Sequence, residues 1–344
     1  MTDRRDPIQA RADGSQDLYD VATWEVRSRL DRVAVSIFRG LKFSLRAIVF
    51  LMALIIFVAQ FALGGVGAIT EPAVGALVVL SALPALGLAW YVRREDATSE
   101  EPLELMVATF VLAVLFAGFA GILNTYVGNG VQAIGSGFGT IPVLGLVFMF
   151  YLVVGPVEET VKWLAIRLYA YRSERFDAVI DGAVYGAIAG LGFATIENAL
   201  YITQNLNAAF LASGNIVGAG SDITAVRALA GPGHVIYSAF AGYYLGLAKF
   251  NPENRGPIVV KGLLIAALIH ATYNTLVTIV PDLISVLIPS VSPFVVFLGF
   301  VIVYDGFFGY ILLRKLRRYS HTYRDLHDTP DAGEMKVEKT EYDA

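Results

Sequence analysis

The chain has no cysteine among its 344 residues. That excludes disulfides, thiolate nucleophiles and sulfur-ligated zinc. Charge is also scarce, with only 16 % Asp, Glu, Lys and Arg, against 56 % hydrophobic residues and a mean hydropathy of +0.60. A soluble globular domain carries about a quarter charged residues, so a polytopic membrane protein is the class that fits. The apolar runs lack the two-residue alternation of a membrane barrel, which leaves helices. A net charge of −4 decides nothing further, and nothing in the chain marks it for nucleic acid.

Eight runs have the roughly 20 residues needed to cross hydrocarbon. They lie at about 44–64, 72–92, 103–124, 141–169, 180–203, 224–249, 258–281 and 291–313. Positive charge orients them. Arg27, Arg29, Arg32, Arg39 and Lys42 precede the first run, Arg93 and Arg94 follow the second, and Arg167, Arg172 and Arg175 follow the fourth. Lys249, Arg255 and Lys261 flank the loop after the sixth, and Arg314, Lys315, Arg317 and Arg318 follow the eighth. The alternate loops, 125–140, 204–223 and 282–290, contain no Lys or Arg. The expectation is an all-α bundle of about eight transmembrane helices with both termini cytoplasmic, in the cell membrane.

Three parts follow: a tail over 1–43, a transmembrane domain over 44–313 with its motif-bearing core at about 141–281, and a disordered tail over 314–344. Residues 17–43 carry apolar groups at near-helical spacing with Arg interleaved, which predicts an amphipathic helix on the anionic leaflet. No cleavable leader is expected, because the first apolar run is long enough to span. No internal repeat is evident.

Glu158 and Glu159 lie side by side inside the fourth run. A carboxylate in hydrocarbon costs about 2.5–3.5 kcal/mol on the mildest scale, so the pair predicts a buried polar site. Lys162 follows at helical spacing. The fifth run contains Glu197 and Asn198, the sixth His234 and Ser238 after a predicted break at Pro232 and Gly233, and the seventh His270 and Asn274. Three glutamates against one lysine leave surplus acid, which needs protons, a cation or histidines. Trp163 and Arg167 place Glu158 and Glu159 near the cytoplasmic interface, whereas Glu197 is expected nearer the outer end of its run. Gly182, Gly186 and Gly190 form a small-residue ladder. Pro156 and Pro232 are expected to loosen local backbone beside the carboxylates. The stretches 118–139 and 204–223 are candidates for an outer gate.

A carboxylate crowded by burial and a like charge can act as a general base towards water. His234 and His270 can donate to an oxyanion or, with a glutamate, ligate zinc. Asn274 can add an amide donor. A proton- or ion-coupled transporter uses the same residue types, and a non-catalytic scaffold needs none of the surplus acid.

The ordered set of Glu158-Glu159-x-x-Lys162, Phe193-x-x-x-Glu197-Asn198, His234 and His270-x-x-x-Asn274 resembles the PrsW family of intramembrane proteases. That family sits in a larger group with the CAAX prenyl endopeptidases and bacteriocin-processing membrane enzymes. The resemblance covers about residues 100–313. Lys162 after two intervening residues, and Glu197 where the CAAX branch carries a histidine, set the chain apart from that branch. The resemblance implies hydrolysis of a membrane-anchored regulatory protein, such as an anti-sigma factor. Glu158 and Glu159 would activate water, and His234 and His270 would stabilise the oxyanion or hold zinc. The cofactor is then either none or zinc, and the partners are the bilayer and a protein substrate.

Overall fold

A computed structural model describes residues 6–41, 72–138, 142–206 and 216–328. Among these residues every regular element is helical. In chain order they are α1 (Pro7–Arg11), α2 (Arg29–Leu41), α3 (Pro72–Arg94), α4 (Leu103–Phe138) and α5 (Pro142–Met149). Then come a π-helical turn (Phe150–Val154), α6 (Gly155–Leu168), α7 (Val179–Asn205), α8 (Ile216–Phe250), α9 (Arg255–Leu287) and α10 (Pro293–Asp328). Helices satisfy every backbone polar group within the segment, which hydrocarbon demands.

Among the described residues six helices are long and apolar enough to cross a membrane: Pro72–Arg94, Leu103–Gly130, Leu144–Arg172, Val179–Thr203, Pro252–Leu287 and Pro293–His327. The expected span at 44–64 lies outside the described residues. The expected span at 224–249 forms α8, a 35-residue helix through the centre of the bundle. It is not among the six apolar helices, because its glycines, tyrosines, Asp222, Arg227 and His234 dilute its apolar residues.

The core is the pair α7 and α8. The apolar window of α7 is 83 % buried, far more than any other span. Around the pair stand α3, α4, α6, α9 and α10. A Cβ on Gly186 would lie 2.3 Å from the Ser238 carbonyl oxygen, and one on Gly190 would lie 2.3 Å from that of His234. The ladder therefore lets two backbones touch, and that contact fixes the height of His234.

The breaks fall differently from the sequence reading. Pro156 follows the π-helical turn, where the wider winding accommodates the ring and the carbonyl it displaces. Pro232 breaks nothing: α8 runs unbroken through it. The stretch 118–138 is part of α4 rather than a loop, and 207–215 lies outside the described residues.

Both tails are more ordered than their composition suggests. Only Arg29–Leu41 of the expected 17–43 helix is helical. The segment before it straps across the arginine-rich end of the bundle. Val21, Ala22 and Trp24 are buried there. Asp20 meets Lys315 at 2.6 Å and Tyr244 at 3.1 Å, and Asp6 accepts from the Tyr319 hydroxyl at 2.6 Å. At the other terminus, 314–328 continues α10 instead of fraying into a disordered tail. Residues 329–344 lie outside the described residues.

Candidate functional site

Four helices bring the predicted residues together around one cavity of about 490 Å³, lined by Glu158, Glu197, His234, His270 and Asn274 among others. That volume lies in the usual range for ligand sites. Glu197 shares the layer of the other site residues, so the expected difference in depth does not arise.

Adjacent residues on a helix point about 100° apart, and this separates the two glutamates. Glu159, fully buried, points away from the cavity. Its Oε1 receives Lys162 Nζ at 2.6 Å and faces His270 Nδ1 at 2.9 Å, while Ser238 Oγ donates to its Oε2 at 3.2 Å. Glu158 lines the cavity. Its Oε1 accepts from Asn124 Nδ2 at 3.0 Å, and its Oε2 is buried without a hydrogen-bond partner among the described residues. His270 Nε2 stands 3.7 Å from that oxygen, beyond direct bonding but within reach of one shared water.

A second line of contacts runs through His234. Lys162 Nζ lies 3.0 Å from its Nδ1 and also sits 4.3 Å from the Phe193 ring centre. His234 Nε2 meets Glu197 Oε2 at 2.8 Å, and Arg227 Nη2 meets the same oxygen at 2.6 Å. Arg227 Nε in turn donates to Asn198 Oδ1 at 2.8 Å, and Asn198 Nδ2 donates to Ser81 Oγ at 3.0 Å. The two imidazole rings stand edge-on, 5.2 Å apart.

These bonds assign the tautomers. An ammonium facing His234 Nδ1 needs a lone pair there, so Nε2 carries the proton and donates it to Glu197. At His270, Nδ1–H donates to the carboxylate of Glu159, and Nε2 keeps its lone pair towards the cavity.

Arg227 corrects the charge count. The sequence reading set three glutamates against Lys162 alone; with Arg227 there are two cations. Glu159 pairs with Lys162 and Glu197 pairs with Arg227. Of the three glutamates one remains without a counter-charge: Glu158, on the cavity wall. Arg227 lies seven residues before His234, two turns along the same face, and that spacing was the signal available for it. Asn124 and the buried Tyr237–Asp305 hydrogen bond of 2.7 Å behind the histidines carried no comparable signal.

Glu158, His234 and His270 can each bring a donor atom within 4.8 Å of the others, the donor set of hydrolytic zinc sites. Glu158 Oε2 and His270 Nε2 suit an ion, each with a free lone pair and His270 braced by Glu159. His234 does not, because its outer nitrogen is spent as a donor to Glu197 and its inner one faces an ammonium. As arranged, the site offers two lone-pair donors rather than three.

The family model for PrsW family intramembrane metalloproteases matches residues 101–305. Protease PrsW of Bacillus subtilis is 29 % identical over 225 residues, covering 65 % of this chain and 90 % of that protein. Protease PrsW of Oceanobacillus iheyensis is 30 % identical over 201 residues, covering 58 % and 82 %. Its namesake in Halalkalibacterium halodurans is 27 % identical over the same length, with the same coverage. No solved structure matches the chain.

Proposed function

This chain belongs to the PrsW family of intramembrane proteases, and we propose that it cleaves a membrane-anchored regulatory protein with a water activated by Glu158. The observation that carries this reading is the uncompensated Glu158 carboxylate at the cavity wall, with its free oxygen beside the His270 lone pair.

With two ion pairs closed, Glu158 and His270 need one proton between them to be neutral. A water bound by both can lose a proton to that pair as it attacks a peptide carbonyl. The same pair then returns a proton to the leaving amine. The Asn274 amide on the cavity wall is the donor for the oxyanion, joined by His234 Nε2–H once the substrate carbonyl displaces Glu197 from it. Glu159 and Lys162 act as positioning residues: Glu159 orients His270, and Lys162 holds His234 in its donor form. No step in this scheme runs through a metal; were His234 to release Glu197, Glu158, His234 and His270 would be the residues to hold a zinc ion, which would supply a polarised water.

The strap, the Lys249 loop and the basic end of α10 lie at one end of the bundle. This supports eight spans with both termini cytoplasmic, once the run at 44–64 and α8 are counted. The substrate class is tested by expressing Glu158→Gln with a library of tagged single-span membrane proteins and recovering those it retains. Uncleaved single-span proteins held by Glu158→Gln and cleaved by the wild type are the expected result. Equal cleavage by both would overturn the role of Glu158.

A further inference from the structure

Away from the protease cavity, the turn between α3 and α4 brings three carboxylates together. Asp96 and Glu101 come from the turn, and Asp181 from the first turn of α7. Asp96 and Asp181 already spend part of their bonding capacity on structure. Asp96 Oδ1 accepts from the Thr98 backbone N–H at 2.8 Å and its hydroxyl at 2.7 Å. Asp181 Oδ2 accepts from the N–H groups of Asp177 at 2.7 Å and Ala178 at 3.0 Å, capping α7.

What remains is unusual. Asp96 Oδ2, Glu101 Oε1 and Asp181 Oδ1 are all buried without a hydrogen-bond partner among the described residues. Glu101 is 4 % exposed and Asp181 1 %. The three groups can place one oxygen each within 4.8 Å of the others. No lysine or arginine among the described residues pairs with any of them. Arg93 and Arg94 instead line, with Asp96 and Glu101, a cleft of about 260 Å³. Three carboxylates held this close repel one another unless something positive lies between them.

We propose that Asp96, Glu101 and Asp181 bind a calcium-class divalent cation that ties the α3–α4 turn to the start of α7. All-oxygen donors select the hard cations, calcium, magnesium and manganese, over zinc. A calcium ion bonds oxygens at about 2.3–2.6 Å, so its opposite ligands stand about 5 Å apart, and the cluster falls inside that span. The cleft admits water for the remaining positions. The helix so anchored carries the glycine ladder and Glu197 further along, so the cation braces the scaffold without touching the reacting atoms.

The test uses full-length protein in detergent with terbium, a luminescent substitute for calcium. Trp90 lines the same cleft and serves as the antenna. The expected result is one terbium per chain, excited through tryptophan and displaced by calcium, with a thermal transition that rises when calcium is added. Glu101→Gln and Asp96→Asn each weaken binding at least tenfold; they are preferred to Asp181→Asn, which also removes the cap on α7. Trp90→Phe removes the luminescence but keeps the calcium-dependent rise, and Glu158→Gln keeps both, which places the ion away from the protease cavity. The proposal is overturned if the folded wild type responds to neither ion. It is also overturned if Glu101→Gln and Asp96→Asn bind as the wild type does, or if Glu101→Gln without cation already reaches the stability of the wild type in calcium, since protons would then be what neutralises the cluster.

Discussion

Replacing each of the neighbouring glutamates by glutamine, a change of one atom, is expected to move stability in opposite ways. Glu159 makes three polar contacts, at 2.6 Å to Lys162, 2.9 Å to His270 and 3.2 Å to Ser238. Glu159→Gln leaves the Lys162 ammonium buried without a carboxylate, and breaking a buried pair from one side costs about 3–5 kcal/mol. Glu158 has one hydrogen bond, from Asn124, which the glutamine carbonyl can still accept. Glu158→Gln removes a charge that nothing balances, so its effect should be near zero or stabilising by about 1 kcal/mol. Activity should not follow stability. Losing the base costs at least about 10²–10⁴ in rate, so Glu158→Gln is the more stable and the less active protein. The assay is thermal unfolding in detergent, read from intrinsic tryptophan fluorescence, beside turnover of a captured substrate on the same samples. Equal destabilisation by both substitutions, or a Glu159→Gln protein more stable than Glu158→Gln, would refute the division of labour between them.

Gly190→Ala places a methyl 2.3 Å from the His234 carbonyl oxygen, so α7 and α8 must part; a loss of about 1–3 kcal/mol and of most activity is expected, whereas Gly87→Ala, with nothing within 4 Å, should change neither. Burial opposes ionisation of Asp31, but hydrogen bonds from Tyr19, Lys261 and Ser28 outweigh it and hold the carboxyl well below its ordinary value of 3.8. A depressed folded-state value gives stability that is present above the unfolded value and lost as pH falls below it. The strap should therefore resist proteolysis between residues 12 and 28 equally from pH 5 to 8 and loosen only below about pH 4, while Asp31→Asn exposes it at neutral pH, as mass mapping of the fragments would show. A zinc-selective chelator should leave turnover intact and elemental analysis should find no stoichiometric zinc; activity lost on chelation and regained with zinc would mean that His234 releases Glu197 to become a ligand.

The membrane class and the residues that meet at the cavity were legible because hydropathy and the rarity of polar groups within apolar runs are strong signals. Arg227 was missed because positive charges were read as markers of loops, and a span carrying one was treated as apolar. Which glutamate faces the cavity was not legible: the answer rests on a rotation of about 100° per residue, set by the π-helical turn just before it. The strap was read as a tail because its contacts, from Asp6 to Tyr319 and Asp20 to Lys315, join residues about three hundred positions apart. No local period records them. The helical stretch 314–328 was read as disordered because a helix extending into water need not repeat apolar groups.

The strap gives the protein a clock. Residues 6–24 leave the ribosome some three hundred residues before the hydroxyl and ammonium groups they bind, on Tyr319 and Lys315, are made. Asp305, which receives the Tyr237 hydroxyl behind the histidine rings, also belongs to α10. A nascent chain that has inserted everything up to α9 therefore holds the glutamates and both histidines but cannot close either contact. Closure of the site therefore waits for α10, and a chain stalled before that helix is left with its site open.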